Sequence, residues 1–128
     1  MNYFILIALV ISLPATASEK VLVTCVEPTL NTVVTVTQDP SGMASFKVTH
    51  KGTEFRSLTS KSIVITPRVL DRSGKEIYLI RRQKIINLAV QLPLQPISGM
   101  SAQAALAHLE VSAMDGSHLA EDMSCLVF

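Results

Sequence analysis

Val21-Leu22-Val23-Thr24-Cys25-Val26 is the stretch that decides the fold, because its cysteine has a single possible partner within the chain. That partner is Cys125, in the matching stretch Met-Ser-Cys-Leu-Val at residues 123–127. Both stretches are rich in residues that favour β-strands. With two cysteines only one connectivity exists, so we expect a Cys25–Cys125 disulfide that joins the first and last strands of one domain.

The first seventeen residues have the features of a secretory signal peptide. Phe4 to Leu13 is an apolar run interrupted only by Ser12, and Ala15-Thr16-Ala17 has the small-x-small pattern after which signal peptidases cut. The run is about half as long as the roughly 20 residues that a spanning helix needs. We therefore expect cleavage after Ala17 and a secreted or periplasmic domain at 18–128 with no transmembrane segment. An oxidising compartment would preserve the disulfide.

Two other interpretations of these segments remain open. The apolar run could be a buried N-terminal strand of the domain instead of a signal peptide. Leu22-Val23-Thr24-Cys25 is also faintly similar to a lipobox, which would place a lipid on Cys25 and leave Cys125 as a free thiol. Thr24 is bulky for the position before a lipidated cysteine, so the disulfide is our expectation.

Residues 18–128 have the length and composition of a single all-β domain. They are rich in Val, Ile, Leu and Thr, contain no Trp, and show no internal repeat or linker. Turn signals recur every 8 to 12 residues or so. We expect a small antiparallel β-barrel or sandwich of about 7–8 strands, and a bond between the first and last strands favours a closed or nearly closed barrel.

The sequence predicts a hairpin on either side of Asp39-Pro40-Ser41-Gly42. A three-residue loop of Pro40, Ser41 and Gly42 uses proline for the first turn position and glycine for the left-handed one. It pairs Val36 with Phe46 and Val34 with Val48, which places apolar residues on one face.

The next strands are less regular. A turn at Lys51-Gly52 would place Phe55 opposite Val48. The strand at 62–70 contains Pro67, which cannot donate to a ladder, so we expect this strand to lie at an edge or to bend. The register of the 62–82 hairpin stays open, because both faces of residues 76–82 are equally apolar.

The last hairpin surrounds Asp115-Gly116-Ser117. An odd-length loop keeps Cys125 on the inward face and would pair Leu109 with Met123 and Glu110 with Asp122. Before it, the Ala-rich run at 101–107 predicts one or two turns of helix, although a strand is the alternative.

Charge is unevenly distributed along the chain. Ten basic and three acidic residues lie between Lys47 and Lys84, and four acidic residues with no Lys or Arg follow. We expect a basic face that binds a protein, a glycan or another anionic surface. Aromatic residues for base stacking are few there, so we expect no nucleic-acid partner. The candidate residues are Arg68, Arg72, Lys75, Arg81, Arg82 and Lys84.

Nothing in the sequence indicates catalysis. There is no Gly-x-Ser-x-Gly elbow, and the disulfide would leave no reactive thiol. His50, His108 and His118 have no zinc-ligand spacing. We therefore expect no enzyme activity, no metal and no cofactor.

Two consecutive turns resemble those of the small exported β-barrels that inhibit c-type lysozyme through a Ser-Gly loop and a Lys-Gly loop. The matching dipeptides are Ser41-Gly42 and Lys51-Gly52. The resemblance implies that these four residues contact a partner. It covers about fifteen residues, and the tyrosines and tryptophan usual around those loops are absent.

These observations favour an exported, disulfide-bonded β domain that acts as a non-catalytic binding or inhibitory module for an anionic or protein partner. The alternatives are a structural component of the envelope that adds strands edge to edge, with the Pro67 strand as its edge, and a carrier of a small apolar ligand inside the barrel. The sequence does not indicate an oligomeric state.

Overall fold

A computed structural model describes residues 19–128, and the expected signal peptide at 1–17 lies outside the described residues. The described chain is all-β. It has ten strands, more than the expected 7–8, and one of the additional strands is the two-residue Gln95–Pro96. The strands are β1 (Lys20–Val26), β2 (Thr32–Gln38), β3 (Ala44–His50), β4 (Thr53–Ser60), β5 (Val64–Leu70), β6 (Glu76–Arg82), β7 (Ile86–Gln91), β8 (Gln95–Pro96), β9 (Gln103–Ser112) and β10 (His118–Val127).

All ten strands belong to one antiparallel sheet, in the order β4-β3-β2-β1-β10-β9-β7-β6-β5, with β8 paired to β9. The first and last strands meet in the middle of this sheet. Cys25 lies directly opposite Cys125, and the two are joined by the expected disulfide with their Cα atoms 4.0 Å apart. The bond therefore connects the two halves of the sheet.

The edges of the sheet are β4 and β5, which follow one another in the chain. Because every neighbouring pair is antiparallel, the strand order requires β4 and β5 to run in the same direction. Only three residues separate them, and such a link spans roughly 14 Å. A link that ran back along the eight-residue β4 to the start of that strand would have to span roughly 25 Å. Thus β5 begins near the end of β4, and the sheet curls into a half-barrel whose edges are connected at one corner.

The core lies on the concave face of the curled sheet. Its central side chains are fully buried and come from seven strands, and Ile63 in the link between β4 and β5 joins them with 7% of its surface exposed. Alternate residues of each strand supply this face, as the period of a half-buried strand predicts. The largest of these side chains are Phe46, Ile80, Ile86, Leu88, Leu109 and Met123.

The hairpin of β2 and β3 has the predicted register. Val36 pairs with Phe46 and Val34 with Val48. The amide of Asp39 donates to the carbonyl of Met43 at 3.0 Å, which leaves a three-residue loop between them. Gly42 has φ +91°, so this position favours a residue without a Cβ.

The hairpin of β3 and β4 has the predicted turn, but the predicted partner of Val48 is wrong. Lys51 and Gly52 both have positive φ, as a tight two-residue hairpin turn requires. A bulge then places Arg56, and not Phe55, opposite Val48. The extra residue turns Phe55 toward His50, whose ring centroid lies 6.4 Å away.

The helix predicted at 101–107 is wrong, because these residues enter β9. Strand pairing with β10 and β8 outweighs the helix propensity of the alanines. Their small size fits the site, since Ala105 lies opposite Cys125 and next to the disulfide. The loop after β9 has the predicted odd length but lies one residue earlier, at 114–116. The register is therefore shifted by two, and Met123 pairs with Ala107.

The expectation for the Pro67 strand is confirmed. β5 is an edge strand, and its pairing with β6 is interrupted between Thr66 and Val69. Proline occupies the interruption, where no ladder donor is needed. Over residues 19–128, no helix has the length and apolarity to span a membrane.

Candidate functional site

The structure divides the predicted basic face into two groups at opposite ends of β6, which is seven residues or roughly 20 Å long. Arg72 and Lys75 lie in the turn before β6. Arg81 and Arg82 end the strand, and Lys84 lies in the turn after it. The second group is joined by Lys61, because the β4–β5 link leads directly into Val64, the partner of Arg81. We call Lys61, Arg81, Arg82 and Lys84 the corner cluster.

The corner cluster has no carboxylate within ion-pair distance among the described residues. Lys61, Arg81 and Lys84 are exposed, and Arg82 is partly buried. The Nε atom of Arg82 is buried and has no hydrogen-bond acceptor among the described residues. The hydrogen bond from the Ser41 hydroxyl lowers the pKa of Asp39 in the β2–β3 turn most, and the nearby charge of Lys61 lowers it a little further. The cluster therefore keeps a net positive charge.

The group at the other end of β6 has two carboxylates, Asp71 and Glu76, beside its three cations. The Nε atom of Arg68 lies 2.9 Å from Oε2 of Glu76. The carboxylate of Asp71 accepts from the hydroxyl and amide of Ser73 and from the amide of Lys75, at 2.7 to 2.9 Å. These bonds, led by that from the Ser73 hydroxyl, lower the pKa of Asp71. Asp71 therefore keeps its negative charge next to Lys75.

The two turns that resemble lysozyme-inhibitor loops lie at opposite ends of β3. Ser41-Gly42 precedes the strand and Lys51-Gly52 follows it, about 20 Å away along a seven-residue strand. In the first turn, Asp39 accepts from the hydroxyl of Ser41 at 2.6 Å and from its amide at 3.0 Å. The Ser41 hydroxyl therefore has a partner within its own turn.

A polar cluster on the concave side escapes sequence analysis. Thr32 is fully buried, and its hydroxyl donates to Oε1 of Glu121 at 3.0 Å. The hydroxyl oxygen of Thr32 also lies 2.8 Å from Nδ1 of His50, and it accepts a hydrogen bond from this nitrogen if the nitrogen carries the proton. Thr32 thus ties β2 and β3 to β10. Only the exact strand register indicates this contact, because Thr32 and Glu121 are 89 residues apart in the chain.

This cluster has the residue types of a nucleophile, a base and an acid, but not their arrangement. In such a triad the histidine lies between the hydroxyl and the carboxylate and takes the hydroxyl proton. Here the hydroxyl of Thr32 lies between His50 and Glu121 and donates a hydrogen bond to the carboxylate. A fully buried oxygen is also out of reach of a substrate. The geometry fits a structural bond between strands.

The outer face of β9 and β10 differs from the expected pairing. Asp122 lies opposite His108, and not opposite Glu110, because of the two-residue shift in register. Nδ1 of His108 is 2.9 Å from Oδ1 of Asp122. The expected contact between like charges is therefore wrong. Among residues 19–128, no three His, Cys, Asp or Glu side chains are grouped as metal ligands.

An apolar groove of about 580 Å³ crosses the convex face. Its apolar side chains include Val26, Leu106 and Leu126, which alternate along their strands with residues of the core. Its polar side-chain groups are the amides of Gln91 and Gln95 and the hydroxyl of Ser124. No side chain in its lining is charged. The concave face, by contrast, is occupied by the core side chains.

Comparisons of the chain with protein-family models, with curated proteins and with solved structures found no match.

Proposed function

We propose that this chain is an exported, non-catalytic binding module that captures an anionic partner through the corner cluster. The observation that carries this proposal is the position of Lys61, Arg81, Arg82 and Lys84 around one corner of the half-barrel, without a carboxylate in ion-pair contact among the described residues. Cations on a folded surface with no internal partner attract anions and raise the rate of encounter.

Export is supported by the disulfide. The Cys25–Cys125 bond lies in the middle of the sheet and is compatible with an oxidising compartment. A secreted or periplasmic location follows if the apolar segment before residue 18 is cleaved as proposed. Such a domain would meet acidic proteins, sulfated or carboxylated glycans and anionic membrane surfaces.

The second basic group provides a matched control for the test. The variant Arg81→Ser/Lys84→Ser removes two charges from the corner cluster, and Arg72→Ser/Lys75→Ser removes two from the other end of β6. On a heparin column, we expect the first variant to elute at clearly lower salt than the unchanged protein. The control should elute closer to the unchanged protein, because the carboxylates of Asp71 and Glu76 reduce the positive charge of its site.

Equal shifts for the two variants would contradict a localised site and would indicate that only net charge matters. Retention of the unchanged protein that persists in 0.5 M salt would also count against the proposal, since the Debye length there is only about 4 Å. Vesicles of phosphatidylglycerol, compared with phosphatidylcholine, then distinguish a membrane surface from a glycan.

The convex groove supports a second candidate, a carrier of a small apolar ligand. Its volume of about 580 Å³ is in the range of small-molecule sites. The ligand would lie on the outside of the sheet and not inside a barrel. N-phenylnaphthylamine, an uncharged apolar dye, should bind with increased fluorescence, and Leu106→Asp should abolish the increase. Unchanged fluorescence in that variant would exclude the groove.

A further inference from the structure

The two edges of the sheet differ in how well they are protected. β5 contains Pro67, a bulge and an arginine held by Glu76, all of which hinder the addition of another strand. β4 has no proline and pairs regularly with β3 from Arg56 to Ser60. Within the described chain, the outer side of β4 makes no backbone hydrogen bond. β4 is therefore the open edge.

The register identifies which backbone groups of β4 are free. The bond from the Asp39 amide to the Met43 carbonyl fixes the alternation along β2 and β3. Counting from it, Val34 and Val48 form a non-hydrogen-bonded pair, so the backbone groups of Val48 point toward β4. The two-residue turn after His50 leads to the same alternation.

It follows that the backbone groups of Arg56, Leu58 and Ser60 bond to β3. Ser57 and Thr59 direct their backbone N–H and C=O groups to the open edge. A row of alternating donors and acceptors with a spacing of about 7 Å matches an extended polypeptide.

The side chains beside this edge indicate what such a polypeptide would contain. Phe55 and Leu58 are half-buried at the margin of the core, so one side of each is uncovered. The Nε atom of Arg56 is buried and has no acceptor among the described residues. An added strand with an apolar residue next to Leu58 would extend the core, and a carboxylate two residues further on would lie next to Arg56.

We propose that β4 is a strand-addition site for an extended segment of a partner protein. The segment pairs antiparallel to β4 and carries an apolar residue beside Leu58 and an acidic residue beside Arg56. This site differs from the corner cluster, because its main recognition is through backbone hydrogen bonds.

A second copy of this chain fits the edge less well. Antiparallel self-pairing about Leu58 would place Arg56 opposite Ser60 of the other copy, so the arginine would gain no carboxylate. The regular stretch at 56–60 is also short, and it buries less than the roughly 1,200 Å² typical of stable interfaces. Charge and area therefore favour a foreign segment.

The test uses the peptide acetyl-Thr-Val-Thr-Leu-Thr-Asp-Thr-amide, whose Leu and Asp would lie beside Leu58 and Arg56. When the peptide is added, NMR should show that amide hydrogen exchange at Ser57 and Thr59 slows at least fivefold. Exchange at Leu58 should not change in this way, because its amide already bonds to β3. Ser57→Pro removes an outward donor and should weaken binding at least tenfold, whereas Ser57→Ala should bind as the unchanged protein does. Replacing Asp by Asn in the peptide should weaken binding about fivefold.

If Ser57→Pro disturbs the fold, a peptide methylated on the backbone nitrogen of the Thr that faces Ser57 tests the second bond of the same residue pair, in which that nitrogen donates to the carbonyl of Ser57. Equal binding by the methylated and the unmethylated peptide overturns the proposal. A dimer of the unchanged protein in sedimentation equilibrium that Ser57→Pro dissociates also overturns it. The variant Arg81→Ser/Lys84→Ser should bind the peptide normally, so failure here is distinct from failure of the corner cluster.

Discussion

Removal of the Cys25–Cys125 bond should lower the free energy of unfolding by about 4 kcal/mol. The two cysteines are 100 residues apart in the sequence, and closing a loop of that size is worth about 4.7 kcal/mol in the chain-entropy model. Measured values for native disulfides are typically about 2–5 kcal/mol. Domains of this size are stable by roughly 5–15 kcal/mol, so the variant Cys25→Ala/Cys125→Ala should be folded but marginal.

The position of the bond makes this prediction specific. Among the described residues, the backbone ladder that joins the two halves of the sheet is the pairing of β1 with β10, from Val23 to Val26 on the β1 side. Urea unfolding followed by far-UV circular dichroism suits a chain without tryptophan. We expect a lower midpoint and a steeper slope, because the unfolded chain without its crosslink exposes more surface.

The unchanged protein in reducing agent is the control. Its free energy of unfolding should be close to that of the double-alanine variant, because both lack the crosslink. A difference between them measures the effect of the two sulfurs, which only the variant lacks. A loss below 1 kcal/mol in both would refute the role assigned to the bond. Two thiols titrated by Ellman's reagent in freshly purified native protein would refute the bond itself.

Two further predictions concern the hydrogen bonds of polar side chains. Thr32→Val keeps the shape of a fully buried side chain but removes its bond to Glu121, and it should cost about 2 kcal/mol in urea unfolding; a cost below 0.5 kcal/mol would contradict the proposed tie between strands. Asp71 has a pKa lowered mainly by the Ser73 hydroxyl, so its contribution to stability should be complete above about pH 4 and be lost as the pH falls through the lowered pKa. Asp71→Asn should therefore reduce the thermal midpoint at pH 7 more than at pH 2, and an equal reduction at both would contradict the assignment.

The sequence predicts best those parts of the fold where turn chemistry and strand period agree. The β2–β3 hairpin is such a part, because Pro40 and Gly42 fix the turn and the alternation of valines fixes the register. The β9–β10 hairpin shows the limit of this argument. Loops at 114–116 and 115–117 have the same length and keep the same faces, so alternation cannot distinguish registers that differ by two.

Other features depend on contacts that no local pattern encodes. The Ala-rich start of β9 has helix propensity, but the strands on both sides determine its conformation. The division of the basic residues follows from the length of β6, which separates Lys75 from Lys84. The contact of Thr32 with Glu121 requires the complete sheet order. The candidate site is thus predictable in its residue types and not in its grouping.

The meeting of β1 and β10 has a consequence for folding. The amide of Phe128 donates to the carbonyl of Leu22 at 3.0 Å, so the end of the described chain lies next to its beginning. A circular permutant with a short linker from residue 128 to residue 19, opened between Lys61 and Ser62, would follow the sheet from one edge to the other in chain order. Its mean contact separation would be lower, and it should fold faster than the natural order, in which the most distant segments must find each other.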